Sequence, residues 1–150
     1  MTGRRKVAPA YLADGAALAY TTTGRAPIKG PDDVVAALAH LSMTTEPREM
    51  FVALLLNARH EVLRIEVVSV GSLNASIVHP REVFRPALLH SAASLVIAHN
   101  HPSGDPEPSE EDLSITRRLC EVGELLGIGV LDHVILGARG TVSFRARQLL

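Results

Sequence analysis

The stretch from Ala98 to Asp112, AHNHPSGDPEPSEED, constrains this chain more than any other. It follows the apolar run Ser94-Leu95-Val96-Ile97-Ala98, which is short, partly β-branched and bounded by a Pro/Gly-rich turn, so a buried strand is predicted there. His99 and His101 end that strand on one face, with Cα atoms about 6.6 Å apart from a rise of ~3.3 Å per residue. Pro102, Gly104, Pro106 and Pro108 stop the strand, and Ser109-Glu110-Glu111-Asp112 is a helix start with capping-box spacing. The first turn of that helix can fold the Asp112 carboxylate back onto the histidines. Two imidazoles and one carboxylate leave one tetrahedral position open, as in a catalytic zinc site. A water in that position has its pKa lowered from about 15.7 to about 7. Read without a metal, the same residues are two polar strand histidines followed by an ordinary capping box.

The spacing also carries a family resemblance. His99-x-His101, seven residues, Ser109, two residues and Asp112 match the H-x-H-x7-S-x2-D signature of the JAMM (MPN+) metalloproteases without a gap. The longer string HNHPSGDPEPSEED, with Leu131-Asp132-His133-Val134-Ile135-Leu136-Gly137 downstream, resembles the bacterial RadC branch of that family, over roughly residues 45 to 150. The resemblance implies an α/β fold, a curved mixed sheet flanked by helices and similar to the cytidine-deaminase fold. It implies one zinc ion per chain on His99, His101 and Asp112, and a metallopeptidase or isopeptidase acting on a peptide or protein.

Hydrolysis of an amide by an activated water needs a general base and an oxyanion donor. In the family pattern the base is a glutamate at the start of an early strand, and Glu49-Met50-Phe51-Val52-Ala53-Leu54-Leu55 fits that context, which makes Glu49 the candidate. Glu46, Glu61 and Glu66 are its rivals, with Glu82 behind them. Ser109 in the pattern donates its hydroxyl to the oxyanion, whereas the residues alone make it a helix N-cap. RadC proteins usually carry a DNA-associated helix-hairpin-helix region ahead of the metal domain. About 44 residues precede the resemblance here, which weakens any expectation of a DNA-repair role.

Composition sets broad limits. The 150 residues fit one domain, and 47% hydrophobic content with 3% aromatics and no Trp predicts an aliphatic core. A net charge of -1 gives no general argument for nucleic acid or anionic membrane. The single cysteine, Cys120, lies in a helical apolar pattern and is expected in the core. With no apolar h-region near the N-terminus and no run long enough to span a bilayer, a cytoplasmic protein is the default expectation. Residues 1–30 carry Arg4, Arg5, Lys6, Arg25 and Lys29 against Asp14 and are expected to be a loosely ordered basic leader ahead of a single domain over 31–150. The alternative function is a non-catalytic interaction module that uses this leader on DNA, or binds a protein partner.

Along the chain, helices are predicted at Pro31 to Met43, Pro80 to Ala92 (packing Val83, Phe84, Ala87, Leu88 and Ser91) and Ser109 to Leu126, the last ended by Gly127. Strands are predicted at Met50 to Leu56, Val62 to Val70, Leu73 to Val78, 94–99, Val130 to Leu136 and Thr141 to Phe144. Asn57-Ala58-Arg59-His60 has the length of a hairpin connection. Asn100 should point away from the ligand face. His133 reads either as a carboxylate-oriented histidine near the site, through Asp132, or as a strand histidine satisfied by a neighbour. Asp105, Glu107, Glu110, Glu111 and Asp112 repel phosphates and argue against a nuclease, unless a second cation reverses the local charge. The single cysteine excludes a zinc deaminase, and the absence of H-E-x-x-H excludes a thermolysin-type helix site.

Overall fold

The computed structural model describes residues 19–20, 26–71 and 78–150. In chain order the elements are β1 (Ala19–Tyr20), α1 (Pro31–Leu38), a 3-10 turn (Ala39–Leu41), β2 (Glu49–Leu56), β3 (Val62–Gly71), α2 (Pro80–Leu89), β4 (Ser94–Asn100), α3 (Glu110–Leu126), β5 (Gly129–Gly137) and β6 (Gly140–Ser143). They build one mixed sheet in the order β1-β3-β2-β4-β5-β6. Every neighbouring pair is antiparallel except β4 and β5, which run parallel because α3 carries the chain back across the sheet. This is the mixed α/β architecture that the alternation of strand and helix patterns predicts.

Both faces of the central strands are covered, and the sequence shows it. Strands β2 and β4 are almost continuously apolar, as doubly covered strands must be. Alternate residues still divide between two cores. Val52, Leu54, Val96, Ala98 and Val134 pack with Val34 and Leu38 of α1, while Phe51, Ala53, Leu55, Leu95 and Ile97 pack with Val83, Phe84 and Ala87 of α2 and Ile115 and Leu119 of α3. Each fully buried aliphatic side chain of this kind contributes about 1.5–3 kcal/mol. The consequence for function is positional: odd-numbered residues of β4, His99 among them, face α3.

Several expected boundaries move. Helix α1 ends at Leu38, tightens into the 3-10 turn and stops at Ser42, whose φ of +51° is left-handed, so the predicted extension to Met43 fails although no glycine marks the stop. Helix α2 ends at Leu89, three residues before Ala92, and Ser91 has φ +52°. Leu88, inside the helix, and Ser91, beyond its end, are both exposed and not on a packed side. Pro86 is accommodated inside α2, where its missing N–H removes one helical bond.

The hairpin at 57–60 and the stop at Gly127 (φ +72°) form as predicted. The predicted strand Leu73 to Val78 lies almost wholly outside the described residues, as does the basic leader including Arg4, Arg5 and Lys6. Within 26–30, Pro27 bridges to Glu61 and the Ile28 N–H donates to the His60 carbonyl at 2.8 Å, which ties this segment to the domain. Cys120 is half-buried on α3. No helix among the described residues is long and apolar enough to cross a membrane.

Candidate metal centre

Strand β4 delivers His99 at its end, and the chain leaves the sheet at His101, whose backbone N–H still donates to the Leu136 carbonyl at 2.8 Å. The loop then folds tightly against the β5–β6 turn. Gly104 has φ +89°, its N–H donates to the His101 carbonyl at 2.9 Å, and its own carbonyl accepts from Arg139 N at 3.0 Å. The close approach needs glycine on the other side too, because a Cβ on Gly137 would lie 2.5 Å from the Gly104 oxygen. Held this way, the Asp105 carbonyl accepts from His101 Nδ1–H at 2.8 Å, which turns Nε2 of His101 inward.

Helix α3 supplies the carboxylate. Ser109 is its N-cap in a full capping box: Asp112 N–H donates to Ser109 Oγ at 3.1 Å, and Ser109 N–H donates to Asp112 Oδ2 at 2.8 Å. The capping box and the ligand reading are therefore one arrangement, since the cap holds Asp112 where it meets both histidines. Asp112 Oδ1 is 3.2 Å from His99 Nε2, Asp112 Oδ2 is 3.2 Å from His101 Nε2, and the two Nε2 atoms are 2.9 Å apart. His99 and Asp112 are buried and His101 is half-buried.

Lone-pair atoms of an imidazole pair and a carboxylate do not converge without a positive species between them, a proton or a metal ion. A tetrahedral ion with bonds of ~2.0–2.1 Å spaces its ligands by about 3.3 Å, close to what is seen, so the donor set fits a metal of the zinc type. This is the one group of three or more such side chains with that proximity among the described residues.

The electrostatics agree with the geometry. Burial pushes the Asp112 carboxyl up, but the hydrogen bond with His101, the close approach of His99 and the Ser109 N–H outweigh it and hold the group far below the usual carboxylate range. The hydrogen bond to Asp112 raises the pKa of His101 against the opposing effect of burial, helped by the Asp105 carbonyl and the charges of Asp112 and Glu49. His133 is held well below its ordinary value, first by burial and then by the neighbouring histidines.

Glu49 opens β2, and the β2–β4 register pairs Phe51 with His99, so the same register carried two residues further along both strands brings Glu49 level with His101. Its charge is felt at that ring. The rival glutamates are engaged elsewhere: Glu46 with Arg48 at 2.8 Å, Glu61 with Asn57 at 2.6 Å in the hairpin at the far end of β2, and Glu66 with Arg64 on β3. Glu82 is on α2 beside Arg81. Asn100 faces away from the ligands as predicted. It is buried, and it accepts from Met50 N and donates to the Glu46 and Arg48 carbonyls, fastening the chain on either side of Glu49.

Two expectations change. The acidic loop is less one-sided than its sequence, because Arg147 closes on Glu107 through two bonds of 2.7 and 2.8 Å. The Asp132 carboxylate does not orient the ring of His133. It accepts from the His133 and Arg145 backbone N–H groups and the Ser143 hydroxyl. The His133 ring lies instead between His99, at 2.7 Å, and the hydroxyl of Thr116, at 2.6 Å. Sequence reading gave Thr116 no role. Its only signal is a position four residues after Asp112, hence on the same helical face.

The family model described as the RadC-like JAB domain matches residues 28–149. The chain is 52% identical over 123 residues to a UPF0758 protein of Alkaliphilus oremlandii, covering 82% of this chain and 53% of that protein. It is 53% identical over 118 residues to one of Methanosarcina acetivorans, covering 79% and 51%, and 50% identical over 141 residues to one of Moorella thermoacetica, covering 94% and 61%. The chain thus spans little more than half the length of these relatives.

Proposed function

This chain belongs to the RadC-like JAB domain family, and from that premise we propose that it is a zinc-dependent hydrolase of amide bonds in peptides or proteins. The observation that carries the proposal is the convergence of His99 Nε2, His101 Nε2 and the Asp112 carboxylate within 2.9–3.2 Å of one another. These three residues would hold the ion, and each is fixed from behind: His101 by the Asp105 carbonyl, Asp112 by the α3 cap, His99 by His133. When bound, such an ion polarises a carbonyl and acidifies water toward neutrality.

The remaining chemistry falls to the protein's own groups. Glu49, at the mouth of β2 and level with His101, accepts the proton of the attacking water. It then delivers that proton to the amine that leaves as the C–N bond breaks. The Ser109 hydroxyl accepts from Asp112 N with a lone pair, which leaves its O–H to donate to the oxyanion at the positive end of α3.

The test is elemental analysis of protein purified without a metal-affinity tag and supplied with zinc. About one zinc per chain is expected, with loss of the metal in His99→Ala and Asp112→Ala. Wild-type protein that takes up no zinc overturns the proposal.

A further inference from the structure

His99 is the most enclosed of the three residues, and the groups behind it form an unbroken chain. The Thr116 hydroxyl is 2.6 Å from the Asp112 backbone carbonyl and 2.6 Å from His133 Nδ1, and His133 Nε2 is 2.7 Å from His99 Nδ1. Phe51 stacks on the His99 ring at 5.9 Å, and Phe144 stacks on the His133 ring at 4.5 Å, which fixes both ring planes. We infer that Thr116 and His133 are positioning residues that set the tautomer of His99, leaving its Nε2 bare toward His101 and Asp112. This rests on the reading of His99 as a metal ligand.

The proton positions follow one from another. A hydroxyl oxygen and a carbonyl oxygen 2.6 Å apart need a proton between them, and only Thr116 has one to give, so its O–H donates to the Asp112 carbonyl. Thr116 Oγ1 then has only lone pairs left for His133. The nitrogen 2.6 Å away must be an Nδ1–H. His133 is fully buried, which favours the neutral ring, and a neutral ring with Nδ1–H has a bare Nε2. His99 Nδ1 must therefore carry the proton that this contact needs, and a neutral His99 with Nδ1–H presents a bare Nε2. The chain begins at the backbone of Asp112 and ends on the ring of His99, so α3 sets two of the three residues together: one by its cap, the other by Thr116 one turn later. His101 reaches the same tautomer by the shorter route through the Asp105 carbonyl. Groups behind a metal-bound imidazole commonly change metal affinity by about 10–100-fold.

The experiment uses full-length protein labelled with 15N-histidine, first stripped with a chelator and then titrated with zinc against a chromophoric chelator. Two-bond 1H–15N spectra of the stripped wild type should show His99 protonated at Nδ1. Thr116→Val removes the hydroxyl while keeping the shape. His99 should then show the Nε2–H form, and zinc affinity should drop by about 10–100-fold. Thr116→Ser should restore both. An unchanged His99 spectrum together with wild-type affinity in Thr116→Val overturns the inference, as does failure of Thr116→Ser to rescue. If Thr116→Val does not fold, His133→Gln, which keeps an acceptor toward His99, should bind zinc more tightly than His133→Leu; equal affinities overturn it. The tautomer spectra need no metal, so a wild type that binds no zinc defeats the proposed function while the spectra still decide this inference.

Discussion

The side-chain oxygen of Asn100 accepts the backbone N–H of Met50 at 2.6 Å, across fifty positions of sequence. Asn100 lies between His99 and His101 but on the opposite face, so one residue of β4 holds the start of β2 while its neighbours face the candidate metal centre. With its Nδ2 on the Glu46 and Arg48 carbonyls, the same side chain fixes the chain on both sides of Glu49. The candidate base and the candidate ligands are thereby kept in register by a group that belongs to neither set.

Asn100→Ala should therefore be destabilising, because the Met50 N–H is left buried without its partner at a cost of about 1–3 kcal/mol. Urea unfolding measures that cost. Zinc stoichiometry should survive the change, since His99 and His101 keep their own supports, while hydrolysis falls as Glu49 loses its mooring. Loss of zinc with unchanged stability would contradict this division of labour.

Glu49→Gln should separate the base from the ligands. It keeps size and hydrogen bonding but removes the basic carboxylate, so zinc content and melting temperature should stay near wild type. Turnover of any accepted peptide should fall by about 10²- to 10⁴-fold. His101→Ala should instead lose metal and activity together. Full turnover in the Gln variant would send the search back to Glu46, Glu61 and Glu66.

The candidate ligand set is legible in the sequence because each part of it is local. Period-two alternation puts His99 and His101 on one face, and capping-box spacing places Asp112 in the first turn of α3. Glu49 is legible only through the family context, not through spacing. The role of His133 is not legible, because it depends on the parallel pairing of β4 with β5, which sets Ile97 opposite His133 and leaves His99 diagonal to it. The nearest acid in sequence, Asp132, pointed to the wrong partner. The early ends of α1 and α2 were missed for a related reason: Ser42 and Ser91 take the left-handed conformation without the glycine that announces it.

Gly137→Ala tests the close approach that shapes the loop. The added Cβ would meet the Gly104 backbone oxygen at 2.5 Å, which no side-chain rearrangement relieves. Loop 101–106 must shift, and with it the Asp105 carbonyl that turns His101 inward. A loss of about 1–3 kcal/mol in thermal or urea unfolding is expected, together with weaker zinc binding in chelator competition. Wild-type values for both would mean that the loop is not held by this contact.

The last prediction concerns pH and opposes two preparations of the same protein. In chelated protein the Asp112 carboxyl is held below its ordinary value and the His101 imidazole above its own, each because of the other. A lowered carboxyl contributes stability that is present above its unfolded pKa of about 3.9 and is lost as pH falls through the folded value. A raised imidazole contributes stability that is present below its unfolded pKa of about 6.5 and is lost as pH rises through the folded value. From this pair, stability is greatest between about pH 4 and pH 6.5 and declines as pH rises beyond that window, while buried His133, held below its ordinary value, acts the other way: its contribution is present above about pH 6.5 and lost as pH falls. The His133 contribution is common to both preparations, so the difference between them isolates the ligands: zinc-loaded protein should gain on chelated protein over the same rise, because metal binding requires deprotonated ligands and releases the proton that His101 holds. Scanning calorimetry of the two preparations between about pH 6 and pH 8 reads the slopes directly. Parallel slopes would show that proton and metal do not compete for the space between His99, His101 and Asp112.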